Sequence, residues 1–116
     1  MHPIAIKRIY DQASADDGYR ILVDRIWPRG ISKEVAKLDE WNKDIAPSST
    51  LRKWFNHKEE RFPAFEQKYR EELKLKAEEV DKIRKKAENQ KVTLLYGAKN
   101  IQMNQAVVLK DILTQL

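Results

Sequence analysis

Hydrophobic residues fall into two kinds of run along this chain: short continuous ones, and longer ones spaced by three and four. Ile4, Ile6 and Ile9 follow Pro3 in a short β-branched run and predict a first strand. Residues 11–18 show no periodicity and read as a loop. Residues 19–26 predict a second strand, and its continuous Ile21-Leu22-Val23 centre marks burial on both faces. That strand has to end by Trp27, since Pro28 lacks an N–H for a ladder and Gly30 favours a turn. Val92-Thr93-Leu94-Leu95-Tyr96 is the clearest strand of all.

The helical pattern lies between and after these strands. Ser32 is suited to cap a short turn over residues 33–37. Residues 38–45 fit either a helix, by the spacing of Leu38, Trp41 and Ile45, or a short strand around residues 40–42, which we favour. Pro47-Ser48-Ser49 announces a helix with Leu51, Trp54 and Phe55 on its apolar side. Phe62, Phe65, Tyr69 and Leu73, then Ala77, Val80, Arg84 and Ala87, keep one stripe towards a core. Pro63 belongs in a first turn, and a break near residues 74–76 divides the stretch into two helices. Residues 101–116 close the chain as a helix with Ala106, Val107, Leu109, Leu113 and Leu116 inward. Strands with continuous apolar interiors alternating with helices predict one three-layer α/β domain over residues 1–116, with a small, mainly parallel sheet flanked by helices.

Composition narrows the chemistry. The 116 residues include no cysteine, which excludes disulfides, thiol catalysis and cysteine-held metals and fits a reducing compartment. No apolar stretch approaches the roughly 20 residues that cross a bilayer, and no secretory signal opens the chain. The expectation is a soluble cytoplasmic protein without a membrane role. The net charge of +5 invites a nucleic-acid reading, but residues 71–90 hold six basic and six acidic residues, as a solvated helix face does. Only three glycines are present, too few for a phosphate-binding loop or a dinucleotide fingerprint. No closely spaced His or carboxylate set suggests a metal, and no cofactor is indicated.

In open α/β sheets ligands gather beyond the carboxyl ends of the strands. Arg25, Arg29, Lys33 and Lys99 fall there, together with helix starts near Ser32 and Ser48. Guanidinium forks and free helix N–H groups suit phosphate or carboxylate. Trp27 and Trp41 can floor such a pocket, so a small anionic ligand is the leading expectation. The alternative is that Arg25 and Arg29 pair with Asp24, Asp39 or Asp44 and merely hold the loop. Asp24, at a strand end, is a weak candidate for a general acid or base. His57 reads as a helix-end residue. Two further function classes stay open: a nucleic-acid-associated module using the basic excess with Trp27 or Trp41 as stacking surfaces, and a protein-interaction module docking through the long charged helix.

The string Val23-Asp24-Arg25-Ile26-Trp27-Pro28-Arg29-Gly30, the stretches at residues 41–48 and 51–57, and Tyr96-Gly97-Ala98-Lys99-Asn100 with Asn104 resemble the YeaO-like bacterial proteins. These form a branch of domain-of-unknown-function family four-eight-eight. The resemblance spans nearly the whole chain and implies a cytoplasmic α/β domain. It marks Tyr96 and Asn104, beside Asp24, Arg25, Trp27, Arg29, Lys33, Trp41, Ser48 and Lys99, as site positions. The wider family often carries a Cys-rich motif after its last strand. Here Gly97-Ala98-Lys99-Asn100 stands instead, so thiol chemistry does not transfer. A methyltransferase label attached to some relatives finds no glycine-rich loop to support it.

Overall fold

The computed structural model describes residues 1–115. Four strands, β1 (Ile4–Arg8), β2 (Tyr19–Leu22), β3 (Glu40–Trp41) and β4 (Val92–Tyr96), form one sheet in the order β1-β4-β2-β3. Every pairing is parallel. The last strand in sequence is therefore inserted between the first two, and all five of its residues are buried. That position explains its nearly continuous apolar run, in which Thr93 is the one polar member.

The faces of the sheet are covered unequally. Val92, Leu94 and Tyr96 join Ile4, Ile21 and Val23 against four helices: α2 (Ser49–Phe55), α3 (Phe62–Lys74), α4 (Ala77–Asn89) and α5 (Gln105–Thr114). From α3 and α4 they meet Phe65, Tyr69, Leu73, Val80, Ile83 and Ala87. Each such apolar side chain contributes about 1.5–3 kcal/mol on full burial. The opposite face carries Ile9, Leu22 and Leu95 under α1 (Lys33–Ala36), the loop residues Trp27, Ile31 and Leu38, and Trp41 of β3. A four-residue helix is a thin layer, and polar groups complete it. Arg20, only 4% exposed, reaches the carbonyls of Ala36 and Lys37 at the end of α1 and pairs with buried Asp17 at 2.6 Å. Lys7 joins Asp17 at 3.1 Å, and the Thr93 hydroxyl donates to the Asp17 carbonyl at 2.7 Å.

Two boundaries and one core position differ from the sequence reading, each for a local reason. The predicted second strand over residues 19–26 stops at Leu22, although the Val23 N–H still donates to Leu95 at 2.9 Å. At Asp24 side chains take over the ladder. Its carboxylate accepts from the Gly97 N–H at 2.9 Å, and its carbonyl accepts from the Trp41 indole N–H at 2.7 Å. The last helix begins at Gln105 rather than near residue 101, because Asn100 draws the N–H groups of Gln102 and Met103 into a turn. Asn104 then caps α5 by accepting from the Val107 N–H. Within α4 the core position is Ile83; Arg84 instead donates to the carbonyls of Ile112 and Leu113 at the end of α5. Leu116, expected on the inner side of that helix, lies outside the described residues.

Candidate functional site

A cleft of about 760 Å³ opens beyond the carboxyl ends of β2 and β4. Three segments wall it: residues 24–29 after β2, the end of α2 with the turn behind it, and residues 97–105 leading into α5. Its volume falls in the range of ordinary small-molecule sites. Of the residues singled out from the sequence, Asp24, Arg25, Trp27, Arg29, Lys99 and Asn104 line it.

Asp24 stands on the floor. One carboxylate oxygen takes the Gly97 N–H and the other the Gln105 side-chain amide. Burial pushes its carboxyl up to about 6, and the bonds from Gly97 and Gln105 offset only part of that rise. Gly97 is needed for this approach, since a Cβ there would stand 2.9 Å from the Asp24 oxygen.

Cations surround the opening, and they differ in how they are held. Arg25 does not pair with an acid: its guanidinium donates to the carbonyls of Pro47 at 2.9 Å and Ala46 at 3.3 Å, fixing the chain just ahead of α2. Arg29 is exposed, and its carbonyl accepts from the Tyr10 hydroxyl at 2.7 Å. Its own guanidinium has no ion-pair or hydrogen-bond partner among the described residues, and the same holds for the side chains of Arg52 and Lys99. Neither Arg25 nor Arg29 clamps the loop through Asp24, Asp39 or Asp44. Glu59 also lines the cleft and accepts from Asn100 at 3.1 Å.

The other singled-out residues stand behind the cleft or away from it. Trp41 packs edge-on against Trp27 with ring centres 5.2 Å apart, while the Trp27 indole donates to the Ile31 carbonyl at 2.7 Å. Each tryptophan therefore stiffens the loop that carries Arg25 and Arg29. Ser48 caps α2 through the Leu51 N–H, and its hydroxyl donates to Glu72 at 2.6 Å. Tyr96 is buried, and burial raises its phenol above the ordinary range, with Arg8 and a hydrogen bond to Asn104 opposing. Lys33 is exposed on the first turn of α1 and is not part of the cleft wall.

Sequence reasoning passed over Arg52, Gln105 and the part played by His57. Asn56 caps α2 in the left-handed region at φ 47°, and His57 follows at φ 55°. Asn tolerates this region well, so the cost falls mainly on His57, at most about 1–3 kcal/mol. The two residues turn the chain back so that His57 lines the cleft, 6.3 Å from the Phe55 ring. Arg52 lies one turn before the cap Asn56 on α2, and only the turn at residues 56–57 brings it and His57 to one cleft. Gln105 follows the cap Asn104 directly, which places it at the strand-end side of the sheet.

The fold and the site together define a small all-parallel α/β protein with a cation-rimmed cleft at the strand ends. The chain belongs to the family described as the inactive DUF488-N3 subclade, whose model matches residues 3–116. It is 48% identical over 113 residues to the uncharacterized protein YeaO of Escherichia coli, covering 97% of this chain and 98% of that one. Uncharacterized proteins of Mycobacterium bovis and Mycobacterium tuberculosis are 39% identical over 110 residues, covering 95% of this chain and 92% of theirs. No solved structure matches the chain. Among the described residues no helix is long and apolar enough to cross a membrane, and no group of three His, Asp or Glu could hold a metal ion.

Proposed function

We propose that the strand-end cleft binds a small ligand bearing a phosphate or carboxylate, and that the protein acts through this binding in the cytoplasm. One observation carries the reading: Arg29, Arg52 and Lys99 rim a single cleft without a protein partner among the described residues. Unpaired cations at one opening raise the local concentration of anions and leave donors free for them. The family's description as an inactive subclade favours binding over turnover. The nucleic-acid alternative has less to stand on, because Trp27 and Trp41 are half-buried against each other and do not offer open stacking faces.

The test is a thermal-shift and calorimetric titration with inorganic phosphate, pyrophosphate and small phosphorylated metabolites, using Arg29→Ala as the control. A ligand present at about 100 times its Kd adds about 2.7 kcal/mol, or several degrees in Tm. Wild-type protein should respond and Arg29→Ala should lose at least tenfold in affinity while melting normally. Equal affinity in the two proteins, or silence from every anion, refutes the reading.

A further inference from the structure

The rim of the cleft explains an acidic ligand, but its floor carries a group that an acidic ligand alone leaves unused. Asp24 is half-buried, faces the cleft, and is held only by neutral donors, the Gly97 N–H and the Gln105 amide. Among the described residues it makes no ion pair. Arg25, its neighbour in sequence, is turned away to the carbonyls of Ala46 and Pro47. A carboxylate so placed repels a phosphate brought close to it and attracts an N–H group. Each of its oxygens accepts one bond from the protein and keeps a second acceptor direction.

Resting on the anion reading above, we infer that the ligand is bipolar: an acidic group at the rim, held by Arg29, Arg52 or Lys99, joined to an amine or other N–H donor that reaches Asp24 on the floor. A cleft of about 760 Å³ has room for both ends of such a molecule, whether the donor is an aliphatic ammonium or an amino group on a flat ring. Gly97 serves the same arrangement, because any Cβ at that position would push the carboxylate out of place.

The experiment measures binding of two matched probe pairs by calorimetry at pH 7.5. O-phosphoserine and 3-phosphoglycerate differ only in amine against hydroxyl. Cytidine monophosphate and its 4-deamino analogue zebularine monophosphate differ only in the ring amino group. In at least one pair the amine-bearing member should bind ten- to a hundredfold more tightly, the range of a hydrogen bond to a charged group. The pair that discriminates identifies the donor as aliphatic or aromatic. Asp24→Asn keeps the side chain's shape and should bring the two members within threefold of each other, with the melting temperature reporting that it is folded. Equal binding of both members in both pairs by wild type overturns the inference while leaving the anion reading in place. So does a preference that survives in Asp24→Asn. Failure of all four probes, of inorganic phosphate and of pyrophosphate overturns the anion reading and the inference with it.

Discussion

Replacing Asp24 by Asn should make the protein more stable at pH 7.5 and leave it unchanged near pH 4. Burial holds the folded carboxyl at about 6 against an ordinary 3.8, with the Gly97 and Gln105 bonds opposing. The folded protein thus keeps this proton more tightly than the unfolded chain does. Ionisation therefore works against folding: the penalty is absent below the ordinary value, grows as pH rises through the interval, and is complete above about 6. At full weight the displacement corresponds to about 3 kcal/mol. The cleft is open and admits water, so about 1–2 kcal/mol is the working figure. Asn has the same shape, its oxygen still accepts from the Gly97 N–H, and the Gln105 amide turns to present its own oxygen. Urea denaturation of both proteins at pH 7.5, 6 and 4, with the m-value checked for constancy, reads the difference directly. The variant should lead by about 1–2 kcal/mol at pH 7.5, and the lead should close between about 6 and 4. A variant less stable at pH 7.5, or a difference independent of pH, refutes the assignment of Asp24 as a carboxylate kept ionised against its surroundings.

Other substitutions separate the cleft from its scaffold. Gly97→Ala places a Cβ 2.9 Å from the Asp24 oxygen; it should cost about 1–3 kcal/mol of stability in urea melts and weaken anion binding, and a neutral result removes the packing argument. Arg20→Met leaves the carbonyls of Ala36 and Lys37 without this donor and Asp17 with only Lys7 and the Ser14 N–H. A loss of about 1–3 kcal/mol is expected, and a change under about 0.5 kcal/mol shows the buried pair to be dispensable. Asp17 itself is pulled two ways: burial raises its carboxyl, while the Ser14 N–H, Lys7 and Arg20 outweigh it and hold it below the ordinary value. Its contribution is present above the ordinary carboxylate range and fades as pH falls through its lowered value, so Asp17→Asn should remove part of the acid sensitivity of unfolding. Tyr69→Phe deletes the hydroxyl that donates to the buried Ile45 carbonyl at 2.6 Å, and about 1–2 kcal/mol should be lost in the same assay.

The sheet was legible because its strands carry different patterns for different positions. Val92 to Tyr96 reads as fully buried and lies centrally, whereas the two-residue strand at Glu40 leaves only a trace in the sequence. Strand order was not legible. Nothing local to residues 92–96 says that they slide between β1 and β2, and that insertion is what brings Gly97 beside Asp24. The site was half legible for the same reason. Arg25, Arg29 and Lys99 could be placed at strand ends from the sequence, but which of them stays unpaired depends on carbonyls of Ala46 and Pro47 that are distant in sequence from Arg25. Ser48 shows the reverse. Its cap on α2 is local and predictable, while the Glu72 that takes its hydroxyl comes from another helix. His57 was hidden by backbone conformation, since Asn56 and His57 enter the left-handed region with no glycine to signal the turn.

Three features of the molecule lower its stability, and all three border one cleft. Asp24 is ionised where burial resists it. Arg29, Arg52 and Lys99 crowd one opening without a protein counter-ion among the described residues. Asn56 and His57 hold a strained turn that delivers His57 to the wall. Away from the cleft, Asp17 pairs with Lys7 and Arg20, Arg70 with Glu66 and Asp111, and Arg84 meets the carbonyls ending α5. Local rules broken together around one cleft point to a site maintained for something other than stability. A ligand with an acidic end and a donor end would relieve two of the three at once, by pairing the rim cations and satisfying the Asp24 carboxylate. Binding should therefore raise the stability of the wild type more than that of Asp24→Asn. That ordering holds for any ligand with an N–H donor that reaches Asp24, and a purely anionic ligand should reverse it.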